Sequence, residues 1–323
     1  MKIAIIGTGA YGSALANVLL KNNNQVSFYG IDEGEINDLK MGLNTKYFGQ
    51  KKLFKLPYLV TNDLKQATQD CDFLILSTPS KFVESVVDKL IEIWPNKNLN
   101  ILNISKGLNP SSEEIFSEFF QRKYQGQINS YASLIGPSFA DEVFNGDFTI
   151  VNVSGKDLKF LEQVKTSFDQ KNFKVFISPF QREIEYYSIF KNIYAIASGI
   201  LSAVFKNYNA LCSALVIAFQ EINQFIISKY GQNPGMIEIA SLGDFMLTCT
   251  SNKSRNFSFG FLVGQNGIDK AVEINKKTVE GYDNIKIMVK VLKEQLNEYP
   301  FLKSIQEVLL QKKKPELILD FLD

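Results

Sequence analysis

The chain has 323 residues, 45% hydrophobic and 21% charged, with 35 Lys and Arg against 34 Asp and Glu for a net charge of +1. That balance leaves no general electrostatic attraction to nucleic acid or to a membrane surface, and no nucleic-acid partner is expected. Histidine is absent altogether, which excludes Ser-His-Asp and Cys-His nucleophile systems, His-ligated zinc and any mechanism with imidazole as acid or base.

Proton transfer therefore falls to Lys, Asp, Glu, Tyr or Cys. Cys71, Cys212 and Cys249 are far apart and lack a C-x-x-C pairing, which reads as reduced thiols of a cytoplasmic protein, with no metal site expected. The apolar run after Lys2 meets glycine at Gly7, too soon for the core of a signal peptide. The longest nearly apolar stretch, residues 193–205, has 13 residues, short of the roughly 18 that suggest a membrane span.

In chain order, the first half alternates β-rich runs with helical patterns: Lys2–Ile6, residues 11–21, then Gln25–Tyr29. Further strands are expected at 73–77, 100–104, 131–135, 148–153 and 174–177. Strands separated by helix-period segments imply βαβ units and a mostly parallel sheet. After Pro179 long helical patterns take over at 183–205, 209–230 and 283–296, so the fold class is α/β with a helical second part. The expected domains are 1–182, dinucleotide-binding, and 183–323, helical and substrate-binding or catalytic. Residues 44–59 mix lysines with Tyr47, Phe48, Phe54 and Tyr58 and read as a solvated loop with aromatic anchors, not as a nucleic-acid patch.

The motif Gly7-Thr8-Gly9-Ala10-Tyr11-Gly12 follows a hydrophobic strand and opens a helix, the context in which G-x-G-x-x-G binds a dinucleotide. Gly7 permits the tight turn, Gly9 lets the backbone approach a pyrophosphate, Gly12 lets helix and strand pack, and the helix start, with Ala10 and Tyr11, offers N–H groups to the phosphates. Asp32, 20 residues after Gly12, either accepts from the adenosine ribose hydroxyls or caps the helix that follows. Three more turns follow apolar strands: Thr78-Pro79-Ser80, Ser105-Lys106-Gly107 and Gly136-Pro137-Ser138-Phe139. Ligands of open parallel sheets bind outside the carboxyl ends of the strands, and Lys106 is the residue that a purely structural turn does not explain.

Lys191 interrupts an apolar helical run. It is either partly desolvated, with its pKa lowered from about 10.4 toward a value useful for acid–base work, or it snorkels to water. Arginine occurs three times against 32 lysines, and one of the three, Arg255, stands between Ser254 and Asn256. Such sparing use suggests a need for planar, bidentate recognition of an oxyanion.

Together G-T-G-A-Y-G-S-A-L-A, S-K-G-L, G-P-S-F-A-D-E, F-K-N-I-Y-A-I-A-S-G, G-D-F-M-L-T-C-T-S-N-K-S-R-N-F-S-F-G and T-V-E-G-Y, running from Lys2 to about Tyr282, resemble the bacterial NAD(P)-dependent glycerol-3-phosphate dehydrogenase family. The resemblance implies a Rossmann-type domain followed by an all-α domain. It also implies reversible hydride transfer between NAD(H) or NADP(H) and dihydroxyacetone phosphate, giving sn-glycerol 3-phosphate for phospholipid synthesis, in a homodimer. It implies that Lys191 is the proton donor and acceptor, Lys106 a second active-site lysine touching substrate and cofactor, and Asp244 the carboxylate that orients them, with Thr248 one helical turn on. Ser254, Arg255 and Asn256 would bind the substrate phosphate, Arg255 also lying near the cofactor. Gly136 and Ser138 would touch substrate, and Pro79, Ala140, Val279 and Glu280 the cofactor, beside Gly7, Gly9, Ala10, Tyr11, Gly12 and Asp32. The chain departs from the pattern at Ile31, where Arg or His is common, which favours NAD(H), and at Phe148, usually proline. A reductase of another small hydroxy or keto acid would keep the glycine loop and a lysine but has no reason for Ser254-Arg255-Asn256. A non-catalytic nicotinamide-binding sensor has none for an intact Lys191, Lys106 and Asp244.

Overall fold

The β-rich apolar runs of the first half become strands, and the helical patterns between them become helices. A computed structural model describes residues 1–95, 99–205 and 207–323. In order, the elements are β1 (Lys2–Ile6), α1 (Ala10–Lys21), β2 (Gln25–Tyr29), α2 (Glu33–Lys40), α3 (Thr45–Phe48), β3 (Leu59–Thr61), α4 (Leu64–Thr68) and β4 (Phe73–Leu76). There follow α5 (Ser80–Ile93), β5 (Leu99–Asn103), α6 (Phe116–Lys123), β6 (Ile128–Ile135), α7 (Ala140–Asn145), β7 (Thr149–Gly155), α8 (Leu158–Phe168) and β8 (Phe173–Ser178). The strands form one sheet in the order β3-β2-β1-β4-β5-β6-β7-β8. Every pairing is parallel except β6 with β7.

Central strands of such a sheet are covered on both faces and read as continuous apolar runs. Accordingly Ile3 to Ile6 of β1 and all of β4 are buried. One face packs Ile5, Phe28 and Leu102 with Leu15 and Phe160, and the other packs Ala4, Leu74 and Ile101 with Val87, Phe116 and Phe120. The short edge strand β3 lies at the end of the segment expected to be a loop. In that segment Phe48 stacks on Phe144 with ring centroids 4.0 Å apart, while Tyr47, Phe54 and Tyr58 are exposed.

The second half is helical: α9 (Gln181–Val204), α10 (Tyr208–Tyr230), α11 (Asp244–Thr250), α12 (Arg255–Asn266), α13 (Ile268–Ile274), α14 (Glu280–Leu292) and α15 (Pro300–Leu310). A π-helical turn, Ile239–Gly243, leads into α11. The expected helix at 283–296 starts three residues earlier, and Lys293, at φ +50°, breaks it into a 3₁₀ turn. The described chain divides into two compact units, Met1–Ser105 with Glu114–Gln181, and Lys106–Glu113 with Arg182–Asp323.

Among the described residues one helix, α10, is long and apolar enough to cross a membrane, with a mean hydropathy of 1.6; residues 193–205, the longest apolar run, are not the segment that meets this test. Helix α10 carries a buried carboxylate, Glu221, that accepts from Tyr194 Oη at 2.6 Å and from the N–H groups of Phe301 and Leu302 at 2.7 and 2.9 Å. Those amides are free donors at the start of α15, so the carboxylate ties α9, α10 and α15 together.

Candidate functional site

In the first unit the glycine motif spans the end of β1 and the first turn of α1. Gly7 has φ +120°, and a Cβ there would stand 2.6 Å from the Ser77 carbonyl oxygen. A Cβ on Gly12 would stand 2.5 Å from Ser77 Oγ, so both glycines let the loop press against the end of β4. Gly9 is different, because a Cβ there would meet nothing within 4 Å. The space in front of it is open, it caps α1 with no side-chain bond to the helix amides, and no acid occupies the first turn. A helix N-terminus with uncapped N–H groups and no neutralising carboxylate attracts anions. The open, uncapped loop of residues 7–12 thus has the shape and charge to fit a pyrophosphate.

The other turns of this unit lie at strand ends as expected. Pro79 caps α5, and the Ser105 hydroxyl donates to the Thr78 carbonyl at 2.5 Å. Ser138 donates to the Gly136 carbonyl at 2.9 Å and is 2.8 Å from Tyr11 Oη. Ala140 opens α7. Asp32 caps α2, its Oδ1 accepting from Glu35 N at 2.9 Å, while Ile31 beside it is 85% exposed.

In the second unit three charged groups meet. Lys191, in the middle of α9, and Asp244, at the start of α11, are each about 2% exposed and form an ion pair through Asp244 Oδ2. Lys106 Nζ approaches the same oxygen at 3.6 Å. Lys191 Nζ also donates to Thr248 Oγ1 at 3.2 Å, and that hydroxyl donates back along α11 to the Asp244 carbonyl at 2.6 Å. Lys191 is desolvated and does not snorkel. Burial, opposed by the Asp244 charge and reinforced by Lys106, lowers its pKa to about 7, because desolvation and a like charge both disfavour the ammonium. An acid or base is most effective when its pKa lies near the working pH.

Ser254, Arg255 and Asn256 form the N-terminus of α12. Ser254 is its cap, accepting from Phe257 N at 3.3 Å. Arg255 is half-exposed and 3.6 Å from Glu280 Oε1. Asn256 is buried, donating to Asn192 Oδ1 and accepting from Gly281 N, both at 2.9 Å; Val279 caps the helix that Glu280 and Gly281 begin. Helices α9 and α12 can approach this closely because glycines face the partner backbone: a Cβ on Gly199 would meet Phe257 O, and one on Gly260 would meet Ile196 O. The sequence reading left Asn192 without a role, although its position directly after Lys191 was a signal. Glu35 and Asn44, which bond to Thr8 of the glycine loop from outside the motif, and Lys46, which pairs with Glu35, carried no such signal.

Residues 2–161 match the model of the N-terminal part of NAD-dependent glycerol-3-phosphate dehydrogenase, and residues 182–320 that of its C-terminal part. The chain is 35% identical over 318 residues to glycerol-3-phosphate dehydrogenase (NAD(P)+) of Malacoplasma penetrans, covering 98% of this chain and 94% of that protein. It is 32% identical to the protein of the same name from Mycoplasma mobile, covering 96% and 92%. The crystal structure of glycerol-3-phosphate dehydrogenase from Coxiella burnetii shares the fold, with a TM-score of 0.90 at 24% identity over 99% of this chain and 98% of that one.

Proposed function

The chain belongs to the NAD-dependent glycerol-3-phosphate dehydrogenase family, and on that premise we propose that Lys191 is the acid and base of its reaction, with Asp244 and Lys106 setting its proton affinity. The reaction is the reversible NAD(P)H-dependent reduction of dihydroxyacetone phosphate to sn-glycerol 3-phosphate, which in this family serves glycerophospholipid synthesis. When bound, the nicotinamide cofactor supplies the hydride for the C2 carbonyl carbon. Lys191 gives its ammonium proton to the C2 oxygen as negative charge develops there, and in the reverse direction its neutral amine takes the hydroxyl proton. Lys106 adds a second positive charge that stabilises the developing alkoxide. Asp244 holds both lysines, and Thr248 orients the Lys191 Nζ. The observation that carries this reading is the buried Lys191–Asp244 pair, a proton-transfer group kept from water and poised near neutral pH.

The substrate phosphate is assigned to the N-terminus of α12, where Ser254, Arg255 and Asn256 combine a helix start with a guanidinium. Gly136 and Ser138 are assigned as further substrate contacts, and Pro79, Asp32, Ala140, Val279 and Glu280 as cofactor contacts, with residues 1–182 and 183–323 as the two functional domains. The exposed Ile31 and the carboxylate of Asp32 favour NAD(H), since neither offers a cation to a 2′-phosphate. The apolar face of α10, with Tyr208, Val216 and Ile227 exposed, supports a homodimer, and the reduced-thiol reading supports a cytoplasmic location.

Consumption of NADH and NADPH with dihydroxyacetone phosphate, beside dihydroxyacetone without phosphate, tests the reading. Turnover is expected to require the phosphate and to be faster with NADH. Cofactor binding without turnover would instead point to another substrate or to a sensor.

A further inference from the structure

Thr8, the middle residue of the Gly7-Thr8-Gly9 turn, is held at both of its polar atoms by residues from outside the motif. Its hydroxyl donates to Glu35 Oε2. Glu35 is 8% exposed and is paired through Oε1 with Lys46 Nζ at 2.5 Å. The Thr8 carbonyl accepts from the Asn44 side-chain amide at 2.8 Å, and the same amide nitrogen donates to Ser13 Oγ at 2.9 Å. Asn44 is fully buried, and its Oδ1 has no hydrogen-bond partner. Turning the amide over would set an oxygen against the Thr8 carbonyl, so its orientation is fixed by the two acceptors. Leaving a buried carbonyl oxygen unsatisfied is costly, and that cost is borne here to keep the amide N–H groups on the loop and on α1.

The segment that carries Asn44 and Lys46 is itself tethered. Asp38, near the end of α2, accepts from Thr45 N at 2.8 Å and from the Thr45 hydroxyl. Gly30 makes room for the arrangement, since a Cβ there would stand 2.5 Å from the Thr8 methyl. A turn of two glycines and one threonine has much backbone freedom to lose when a ligand orders it. Fixing it beforehand removes that cost from binding.

We propose that Glu35, braced by Lys46, together with Asn44, is a positioning device that holds the glycine loop in its cofactor-binding conformation through Thr8. The proposal rests on the loop being the cofactor site. It gives the 44–48 segment a role in cofactor affinity, although none of its side chains need touch the cofactor.

The test is a double-mutant cycle on the full chain with Glu35→Ala, Thr8→Val and the pair, reading NADH dissociation constants by fluorescence titration beside steady-state kinetics. Each single variant is expected to weaken NADH binding about tenfold, and the pair no more than either alone, because both remove one hydrogen bond. The KM for NADH should rise with it, while kcat at saturating NADH and the KM for dihydroxyacetone phosphate change less than about twofold. Glu35→Gln, which keeps an acceptor for Thr8, should recover most of the affinity. Lys46→Ala removes an exposed side chain with little risk to folding and should weaken NADH about two- to threefold by releasing Glu35. Unchanged NADH affinity in folded Glu35→Ala and Lys46→Ala, or effects of Glu35→Ala and Thr8→Val that multiply, would overturn the proposal. If the wild-type chain itself bound no NADH, the fault would lie with the reading of the loop as the cofactor site.

Discussion

In the glycine loop the groups offered to a ligand are main-chain N–H groups, shaped by glycines within one stretch of six residues. Around Lys191 every working atom belongs to a side chain, and those side chains come from α9, from α11 and from the 106–113 segment. The first arrangement is shaped by glycines contiguous in sequence, with Thr8 held from outside the stretch by Glu35 and Asn44. The second depends on how helices pack, and residues without chemistry of their own, such as Gly199 and Gly260, set how closely α9 approaches α12 beside it. The two should therefore fail in different ways: the loop by losing cofactor affinity, the cluster by losing turnover.

The largest effect expected is from Lys191→Ala. Loss of a general acid lowers rates by about 10²–10⁴, so kcat should fall about a thousandfold while the NADH dissociation constant stays within about twofold. Near wild-type turnover would remove Lys191 from the chemistry. Asp244→Asn keeps the shape but leaves two lysines without their counter-charge, and about a hundredfold loss in kcat is expected.

On the loop side, Gly9 and Gly12 separate ligand binding from folding. At Gly9 the backbone (φ −67°, ψ 172°) is open to any residue and a methyl group meets no protein atom. Gly9→Ala should leave the melting temperature of the cofactor-free chain within about 1 °C and weaken NADH about tenfold, because the methyl stands where the phosphates approach. Gly12→Ala drives a methyl into Ser77 Oγ and should cost about 1–3 kcal/mol of stability by denaturant unfolding. If Gly9→Ala bound NADH normally, the open space before it would not be the phosphate site.

The same contrast explains what could be read from the sequence. The strands β1, β2, β4 and β5 and the long helices α9 and α10 were legible because apolar periodicity is local. The loop was legible because its glycines are contiguous. Edge strand β3 escaped because three residues carry no period, and the π-helical turn before Asp244 escaped because nothing in Ile-Ala-Ser-Leu-Gly distinguishes it from an ordinary helix. Lys191 was singled out as a charge in an apolar run. Its pairing with Asp244, 53 residues on, and the meeting of Asn192 with Asn256 are products of packing that no local signal encodes. Nothing local marks Glu35 and Asn44 as partners of Thr8, because those bonds are made only when the chain after β2 folds back on the loop.

The smallest effect is the most specific to the charge cluster. With its pKa lowered to about 7, Lys191 is protonated below that pH and neutral above it. As pH rises through about 7, kcat/KM for dihydroxyacetone phosphate should fall, because reduction needs the ammonium. The value for sn-glycerol 3-phosphate oxidation should rise over the same interval, because oxidation needs the amine. The neighbours act on this midpoint with opposite signs: Asp244 raises the Lys191 pKa and Lys106 lowers it. Lys106→Met should therefore move the midpoint of both profiles up, and Asp244→Asn should move it down, whatever each does to the maximal rate. A loss of rate alone could come from a distorted site, but opposite displacements of one midpoint require that both groups act electrostatically on the same proton. If both variants shifted it the same way, or neither did, the titrating group would not be Lys191.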